Sequence, residues 1–384
     1  MVISRRTLIR RLGSGVVAGA ALPSLYARAS AASGSDDGSG AIARSGAVRL
    51  HKNENPYGPS PRVARALRES SLDVTARYPE TLEQALREKL AALHVVAPDQ
   101  IVLGCGSAEI LRLAATAFLG PRRTLLLAEP TFELIAHCAR QTGAEIAAVP
   151  LCANHAHDLA AMLSLADGGT GLVYICNPNN PTGSLTNRRD LESFLARLPA
   201  ATHVVIDEAY HHYVGGAPEY ASFLDTPVVD ERLIVTRSFS GIYGLAGARV
   251  GYAVAAAPTA RLLERGRLAD DVNGPAALAA ITALDDQEHV RSSARRNMDE
   301  RQEFCNQANA RMLRTIDSHA NFVMLNTGRP AAEIMAHFRA NAVLVGGPYD
   351  GFQKHVRVSV GTPAEMREFW RVWDLLPANH TMVM

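Results

Sequence analysis

Short apolar segments alternate with amphipathic ones from residue 61 to about residue 284. Apolar residues at helical spacing, interspersed with Glu, Lys and Arg, predict helices over residues 61–70 and 81–93. The later apolar segments are short, unbroken and rich in β-branched residues, which indicates buried strands. They occupy residues 101–103, 124–127, 146–149, 171–176, 203–206, 233–236 and 251–255. Strands of this kind, separated by helices, predict an α/β fold with a mostly parallel, doubly wound sheet.

The pattern changes near residue 285, where a long charged helix is predicted over residues 289–313. Strands at residues 322–324 and 356–359 are predicted to follow it. This change in the pattern of helices and strands indicates a second, smaller α+β domain at the C-terminal end. The predicted organisation is an N-terminal arm, a large domain and a small C-terminal domain, at residues 48–75, 76–284 and 285–384.

The first 31 residues have the architecture of an export signal. Arg5 and Arg6 precede a weakly apolar, Gly- and Ala-rich stretch, and Ala27-Arg28-Ala29 offers the small residues that a signal peptidase reads. We therefore predict a twin-arginine signal peptide at residues 1–31, followed by a flexible leader at residues 32–47. An ordinary secretory signal or a frayed tail is the alternative. The mature protein is expected to be periplasmic or otherwise extracytoplasmic, with no membrane association after the signal is removed.

Composition excludes several classes of function. The 384 residues carry a net charge of +1, from 39 basic and 38 acidic side chains, so no attraction to nucleic acid or to an anionic membrane is expected. The five cysteines are an odd number without C-x-x-C spacing, which argues against a disulfide framework and a zinc site. No metal is predicted, and buried thiols are the simpler interpretation.

Candidate chemistry follows the ends of the predicted strands, where ligands bind in doubly wound sheets. After residues 101–103, a Gly-rich turn leads through Ser107 and Ala108 into a helix whose first N–H groups can approach an anion. A tight turn without a ligand is the alternative. After residues 171–176, a loop fixed by two prolines and a glycine presents Asn180 as a side-chain donor.

Two further strand ends carry polar side chains. Asp207 and Tyr210 follow residues 203–206, and a carboxylate at the end of a buried strand is costly unless it has a charged partner. A protonated pyridine nitrogen would be such a partner, whereas a capping Asp is the plainer alternative. Ser238 precedes a Gly-rich turn and Arg249 follows it, which predicts a second phosphate-binding element.

These four blocks, in this order, resemble the class I/II aminotransferases that depend on pyridoxal 5′-phosphate (PLP), of the aspartate aminotransferase fold (fold type I). The Asn-Glu-Asn-Pro-Tyr-Gly-Pro segment at residues 53–59 and the block at residues 238–252 are most similar to the histidinol-phosphate aminotransferase branch. The resemblance extends through residues 321–322 and 357–361, so it covers nearly the whole mature chain. It implies PLP as cofactor, a small-molecule amine or amino acid as substrate, and a homodimer.

The resemblance also implies a role for each matching residue. Backbone donors of Ser107 and Ala108 would bind the PLP phosphate, together with Ser238 and Arg249. Phe132 would stack on the pyridine ring, Asn180 and Tyr210 would hydrogen-bond its 3′ oxygen, and Asp207 would pair with its nitrogen. Tyr57 would reach across a dimer interface to the partner's site, and Arg357 would bind the substrate carboxylate.

The sequence departs from the family at the residue that carries the chemistry. The family's Ser-x-Ser-Lys segment reads Ser238-Phe239-Ser240-Gly241, so glycine stands where the Schiff-base lysine is expected. That lysine also acts as a general base, and loss of a general base typically costs about 10²–10⁴-fold in rate. PLP is therefore expected to bind without a covalent bond at Gly241.

No residue is a secure replacement for this lysine. The candidates are the residues near the block or in the arm that carry a base or an acid: Tyr210, His211, His212, Tyr243 and Lys52. Imidazole is the natural base near neutral pH, although histidines at strand ends are often structural. Lys52 is one of three lysines in the chain and lies in the arm, from which it could enter a neighbouring subunit's site.

A second departure concerns the substrate. The histidinol-phosphate branch carries an arginine just after the strand near residues 343–345, and this chain has Gly346 and Gly347 there. One anion-binding charge is missing, which argues against histidinol phosphate. We expect an aminotransferase-like, PLP-binding protein that acts on an amino acid or amine-containing metabolite outside the cytoplasm. A catalytically impaired ligand-binding protein, or cofactor-independent chemistry in the same pocket, is the alternative.

Overall fold

The computed structural model describes residues 46–377, which form one compact unit that begins at Gly46. The predicted signal peptide and residues 32–45 of the predicted leader lie outside the described residues. The helices are α1 (Pro61–Thr75), α2 (Glu80–His94), α3 (Ser107–Phe118), α4 (Leu134–Gln141), α5 (Leu159–Leu165), α6 (Arg188–Arg197), α7 (Ala257–Glu264), α8 (Gly274–Leu284), α9 (Gln287–Ala310), α10 (Ala331–Ala340) and α11 (Pro363–Trp373).

The strands build one large sheet and two small ones. They are β1 (Val48–Leu50), β2 (Ile101–Gly104), β3 (Thr124–Glu129), β4 (Glu145–Pro150), β5 (Thr170–Cys176), β6 (His203–Asp207), β7 (Leu233–Ser238), β8 (Gly251–Ala255), β9 (Arg314–Thr315), β10 (Phe322–Asn326), β11 (Val343–Val345) and β12 (His355–Ser359). The order in the seven-stranded sheet is β2-β8-β7-β6-β5-β3-β4, in which β8 alone runs antiparallel to its neighbours. The predicted mostly parallel sheet is confirmed.

Both faces of the large sheet are buried, which explains its unbroken apolar strands. In β5, Val173 and Ile175 point into one core, whereas Leu172, Tyr174 and Cys176 point into the core on the opposite face. Helix α2 covers the first face and α3 covers the second. Because neighbouring parallel strands end at the same edge, the residues that follow β5, β6 and β7 are brought together there.

The small sheets lie in the C-terminal part of the chain but recruit the N-terminal arm. Strands β12, β10 and β9 form an antiparallel sheet, and β1 pairs in parallel with β11. The core under these strands contains Phe304, Phe338 and Phe369. Within residues 46–377, no helix combines the length and the apolar character that a membrane crossing requires.

Candidate cofactor and substrate site

One cavity of about 320 Å³ lies where the ends of β5, β6 and β7 meet the N-terminus of α3. Its volume is in the range of small-molecule sites. All eight residues predicted to hold the cofactor line it: Ser107, Ala108, Phe132, Asn180, Asp207, Tyr210, Ser238 and Arg249. Gly241, Lys52 and Arg357 lie on the same wall. Residues separated by more than 300 positions in sequence therefore converge on one space.

The N-terminus of α3 and Arg249 form the anion-binding end of this cavity. Gly106 precedes the helix with a φ of 77°, and a Cβ there would clash with the guanidinium of Arg249. A Cβ on Gly251 would clash with the backbone nitrogen of Ser107, so β8 and the helix approach as closely as glycine allows. Unpaired helix N–H groups beside a guanidinium suit a phosphate group.

Asp207 is a buried carboxylate on the lining of the same cavity, and it is only 2% exposed. Its carboxylate accepts hydrogen bonds from the Tyr174 hydroxyl (2.8 Å) and the Ala209 backbone nitrogen (3.0 Å). Burial raises the pKa of Asp207 to about 6, against the two hydrogen bonds, which lower it. No lysine, arginine or histidine among residues 46–377 pairs with this carboxylate. A protonated ring nitrogen, such as that of PLP, fits this position because it would supply the missing cation.

Tyr210 and Asn180 form a hydrogen-bonded pair beside Asp207. The Tyr210 hydroxyl accepts hydrogen bonds from the side-chain amides of Asn53 (3.0 Å) and Asn180 (3.2 Å). Burial raises the pKa of Tyr210, so the hydroxyl stays protonated. With both acceptor positions of the oxygen occupied, its proton remains to be donated to a ligand.

Arg357 reaches from β12 to the wall of the cavity. It donates from Nη1 to Asn180 Oδ1 (2.5 Å) and from Nη2 to the carbonyl oxygen of His51 (2.8 Å). Its guanidinium lies 5.4 Å from the ring of Phe322 and 5.5 Å from that of Tyr349. The buried Nε–H has no partner among the described residues. The two bonds use one N–H of each terminal nitrogen, so Nη1 and Nη2 each keep one N–H that a carboxylate could accept.

Gly241 lies on the cavity wall without any structural need for glycine. A Cβ at this position would stand 3.4 Å from Cε2 and the hydroxyl oxygen of Tyr213, which is ordinary van der Waals contact. Its φ also lies outside the left-handed region, unlike that of Gly244, three residues later. The backbone would therefore accept a Cβ here, and neither its conformation nor the space around that atom requires glycine.

A family model described as aminotransferase class I and II matches residues 45–372. The chain belongs to this family. It is 38% identical to histidinol-phosphate aminotransferase of Geobacillus sp. (strain WCH70) over 82% of this chain and 86% of that relative. The histidinol-phosphate aminotransferase of Symbiobacterium thermophilum is 39% identical over 84% of this chain and 88% of that protein. Among solved structures, histidinol-phosphate aminotransferase from Sinorhizobium meliloti in complex with pyridoxal-5′-phosphate aligns with a TM-score of 0.80 and 25% identity. That alignment covers 86% of this chain and 92% of the other. The predicted family and fold are thereby confirmed.

In this member of the aminotransferase family, His211 and His212 do not line the cavity that contains Asp207. Both belong to a short turn after β6 and line a different cavity with Tyr220. His211 Nδ1 lies 3.0 Å from the Tyr220 hydroxyl, and burial lowers the pKa of His211 to about 3. Burial lowers the pKa of His212 as well. The structure therefore gives no support to either histidine as the replacement base, because the turn carries them away from the site.

Tyr243 is also placed away from the cavity. It is buried, its ring packs 4.8 Å from that of Phe239, and its hydroxyl faces His212 Nε2 at 3.4 Å. Burial raises its pKa, which disfavours the phenolate form that a base would need. The structure therefore gives no support to Tyr243 as the replacement base, because it packs against Phe239 and His212 and does not line the cavity.

Tyr57 lies outside the cavity of its own chain. Its ring packs beneath the guanidinium of Arg296, at 5.0 Å, and it borders a small crevice with Tyr213 and Asn297. Its reach into the site of a partner subunit stays a prediction.

Two residues of the arm join the site without having been predicted. His51 and Asn53 flank Lys52 and line the same cavity. Asn53 is tied to β12, where its backbone nitrogen donates to Ser359 Oγ (2.8 Å). The only signal in the sequence was their adjacency to Lys52 and to the Asn-Glu-Asn-Pro segment. Of the replacement candidates, Lys52 and Tyr210 are the two that the structure brings to the cavity.

Proposed function

We propose that this chain binds PLP and acts on the amino group of an amino acid, as an aminotransferase-like protein without a lysine at position 241. One observation carries the proposal. The residues expected to hold the phosphate, the ring nitrogen and the ring oxygen surround one cavity, and Arg357 lies on its wall. The PLP in the Sinorhizobium meliloti relative supports the same assignment.

Different residues of the cavity would bind different groups of the cofactor. Arg249, Ser238 and the first N–H groups of α3 would bind the phosphate, and Phe132 would cover the ring. The Asp207 carboxylate would keep the ring nitrogen protonated, and Tyr210 would donate its proton to the ring oxygen. When bound, PLP supplies a ring that accepts electrons from the substrate carbon.

Arg357 selects for a carboxylate beside the reacting amino group. Its hydrogen bonds to Asn180 and to the His51 carbonyl fix the guanidinium plane and leave one N–H on each terminal nitrogen. Gly346 and Gly347 offer no second cation where the histidinol-phosphate branch carries arginine. We therefore favour an amino acid with a single carboxylate over histidinol phosphate, although the relatives named above bear that enzyme's name.

A second candidate is a binding protein that holds PLP or its amine adducts without turnover. The residue that favours it is Gly241, because neither a covalent bond nor proton transfer can come from glycine. The two candidates differ in whether Cα protons of a bound amino acid move, not in how the cofactor is held.

Single-turnover analysis separates the two. The mature protein is loaded with PLP and incubated with a panel of L-amino acids and with histidinol phosphate, and the released cofactor is identified by chromatography. Conversion to pyridoxamine phosphate, with formation of the keto acid, supports the aminotransferase. Unchanged PLP that nevertheless binds would support the binding protein, and conversion by histidinol phosphate alone would contradict the proposed substrate class.

We further propose that the protein acts outside the cytoplasm. Arg5 and Arg6 support this, because paired arginines ahead of a mild apolar stretch are typical of twin-arginine export. Cell fractionation of the full chain tests the proposal, with Arg5→Lys/Arg6→Lys as the matched variant. Export that is lost in the variant is the expected result, and retention of the unaltered chain in the cytoplasm would contradict it.

A further inference from the structure

The cavity lacks an amine at position 241, yet a lysine residue, Lys52, lines it. Of the chain's three lysines, Lys89 lies in α2 and pairs with Asp285 (2.5 Å). Lys354 precedes β12 and does not line the cavity, whereas Lys52 does. Lys52 and Gly241 face the same space from different elements, the arm and the turn after β7.

The backbone on both sides of Lys52 is anchored to the site. Before it, the His51 carbonyl oxygen accepts a hydrogen bond from Arg357 (2.8 Å). After it, the Asn53 carbonyl oxygen accepts one from Asn321 (2.9 Å), and the Asn53 side chain donates to Tyr210 (3.0 Å). Asn53 has a φ of 55°, a left-handed conformation that asparagine tolerates better than most residues.

These contacts fix the position of the Lys52 Cα, whereas its side-chain Nζ remains free to move. Lys52 is exposed, and it forms no salt bridge with the described residues. Its long, flexible stem can therefore carry Nζ toward a ligand in the cavity. The neighbouring charges are Arg357, Arg49, Glu54 and the imidazole of His51, whose pKa is lowered first by burial and then by Lys52.

We propose that Lys52 is the amine that bonds covalently to PLP in this cavity, in place of a lysine at position 241. The inference rests on the proposed function, because it requires PLP in the site. The lone pair of neutral Lys52 Nζ adds to the aldehyde carbon of PLP. The aldehyde oxygen takes up two protons from Nζ and leaves as water, so a carbon–nitrogen double bond forms with no net oxidation or reduction.

Reduction and peptide mapping test the assignment. PLP binding by the full mature chain is first measured by equilibrium dialysis, and the complex is then treated with borohydride, denatured and digested. Borohydride adds hydride to the carbon and leaves a stable secondary amine. The expected result is a pyridoxyl group on the peptide that contains Lys52, with Lys52→Arg abolishing the label and Lys89→Arg leaving it unchanged.

Three outcomes would overturn the assignment, and they separate it from the proposed function. If dialysis detects PLP binding but borohydride never attaches the cofactor covalently, the assignment of Lys52 is wrong and the proposed function is unaffected. A label on Lys89, Lys354 or the N-terminal amine would do the same. Absence of PLP binding would remove both. Because Lys52→Arg keeps the positive charge, saturable PLP binding that persists in that variant, even at reduced affinity, would show that the loss of label comes from the lost amine and not from misfolding.

Discussion

The hydroxyl of Tyr174, inside strand β5, donates a 2.8 Å hydrogen bond to the carboxylate of Asp207, the last residue of the adjacent strand β6, and both side chains are buried. The bond holds the carboxylate toward the cavity without neutralising it. The described residues provide no cation to pair with Asp207. Substitution of Asp207 is therefore the most informative test of the cofactor assignment.

Asp207→Asn should weaken PLP binding. The amide cannot form a charged pair with a protonated ring nitrogen, and hydrogen bonds to charged groups contribute about 1.5–3 kcal/mol, which is roughly 10- to 100-fold in Kd. Fluorescence titration with PLP measures the change. The control is Asp99→Asn, an exposed carboxylate far from the site, 3.8 Å from Arg261. Equal affinity in both variants would remove Asp207 from the cofactor site.

The stability of the PLP-free protein should depend on Asp207 and pH. The pKa of Asp207 is raised by burial from 3.8 to about 6, so the folded state favours its protonated form. Stability from this group is fully present below pH 3.8 and is lost as pH rises through about 6. Asp207→Asn should therefore raise the Tm of the PLP-free protein at pH 7 more than at pH 4. Calorimetry checks this, and an equal shift at both pH values would contradict the assigned pKa.

Arg249→Ala should distinguish the phosphate from the ring. The guanidinium lies over Gly106 at the N-terminus of α3, where a phosphate is expected. Loss of a charge-assisted hydrogen bond should weaken PLP binding by roughly 10- to 100-fold. Pyridoxal, which lacks the phosphate, should bind the variant and the unaltered chain equally. Isothermal titration with PLP and with pyridoxal measures both affinities, and Arg261→Ala, at an exposed position, is the control. An equal loss of affinity for pyridoxal would show that Arg249 does not bind the phosphate.

Gly241→Lys should fold and gain both a covalent bond at position 241 and the general base. The Cβ position stands 3.4 Å from Tyr213, so no backbone movement is needed. Single-turnover transamination should rise by about 10²–10⁴-fold, the usual contribution of a general base. Gly241→Ala is the matched control because it fills the same space without an amine. A lysine variant that folds but reacts no faster than the alanine variant would refute the family alignment at this position.

The local parts of the fold could be predicted because burial on both sheet faces leaves unbroken apolar strands. The residues that follow β5, β6 and β7 could also be predicted to lie together, because neighbouring parallel strands end at the same edge of the sheet. Neither the pairing of β1 with β11 nor the bond between Asn53 and Ser359 could be predicted. Those partners lie about 300 residues apart, and no local pattern encodes which strand a three-residue arm segment joins.

The histidines after Tyr210 show where adjacency misleads. His211 and His212 follow a residue that faces the cavity, but the short turn that begins there directs His211 toward Tyr220 and His212 toward Tyr243. Turn geometry of this kind depends on packing against α9 and the β7 region, which sequence spacing alone does not reveal. We expect His211→Asn to leave PLP affinity unchanged within about twofold (roughly 0.4 kcal/mol) in the same titration. A larger loss of PLP affinity would show that His211 does contribute to the cofactor site.

Equilibrium dialysis of the mature chain against PLP tests the central claim most directly, because it asks only whether the cavity holds the cofactor without a lysine at position 241. The account predicts saturable binding of one PLP per chain that is weakened in both Asp207→Asn and Arg249→Ala. Binding that is absent, or that is unchanged in both variants, would contradict it.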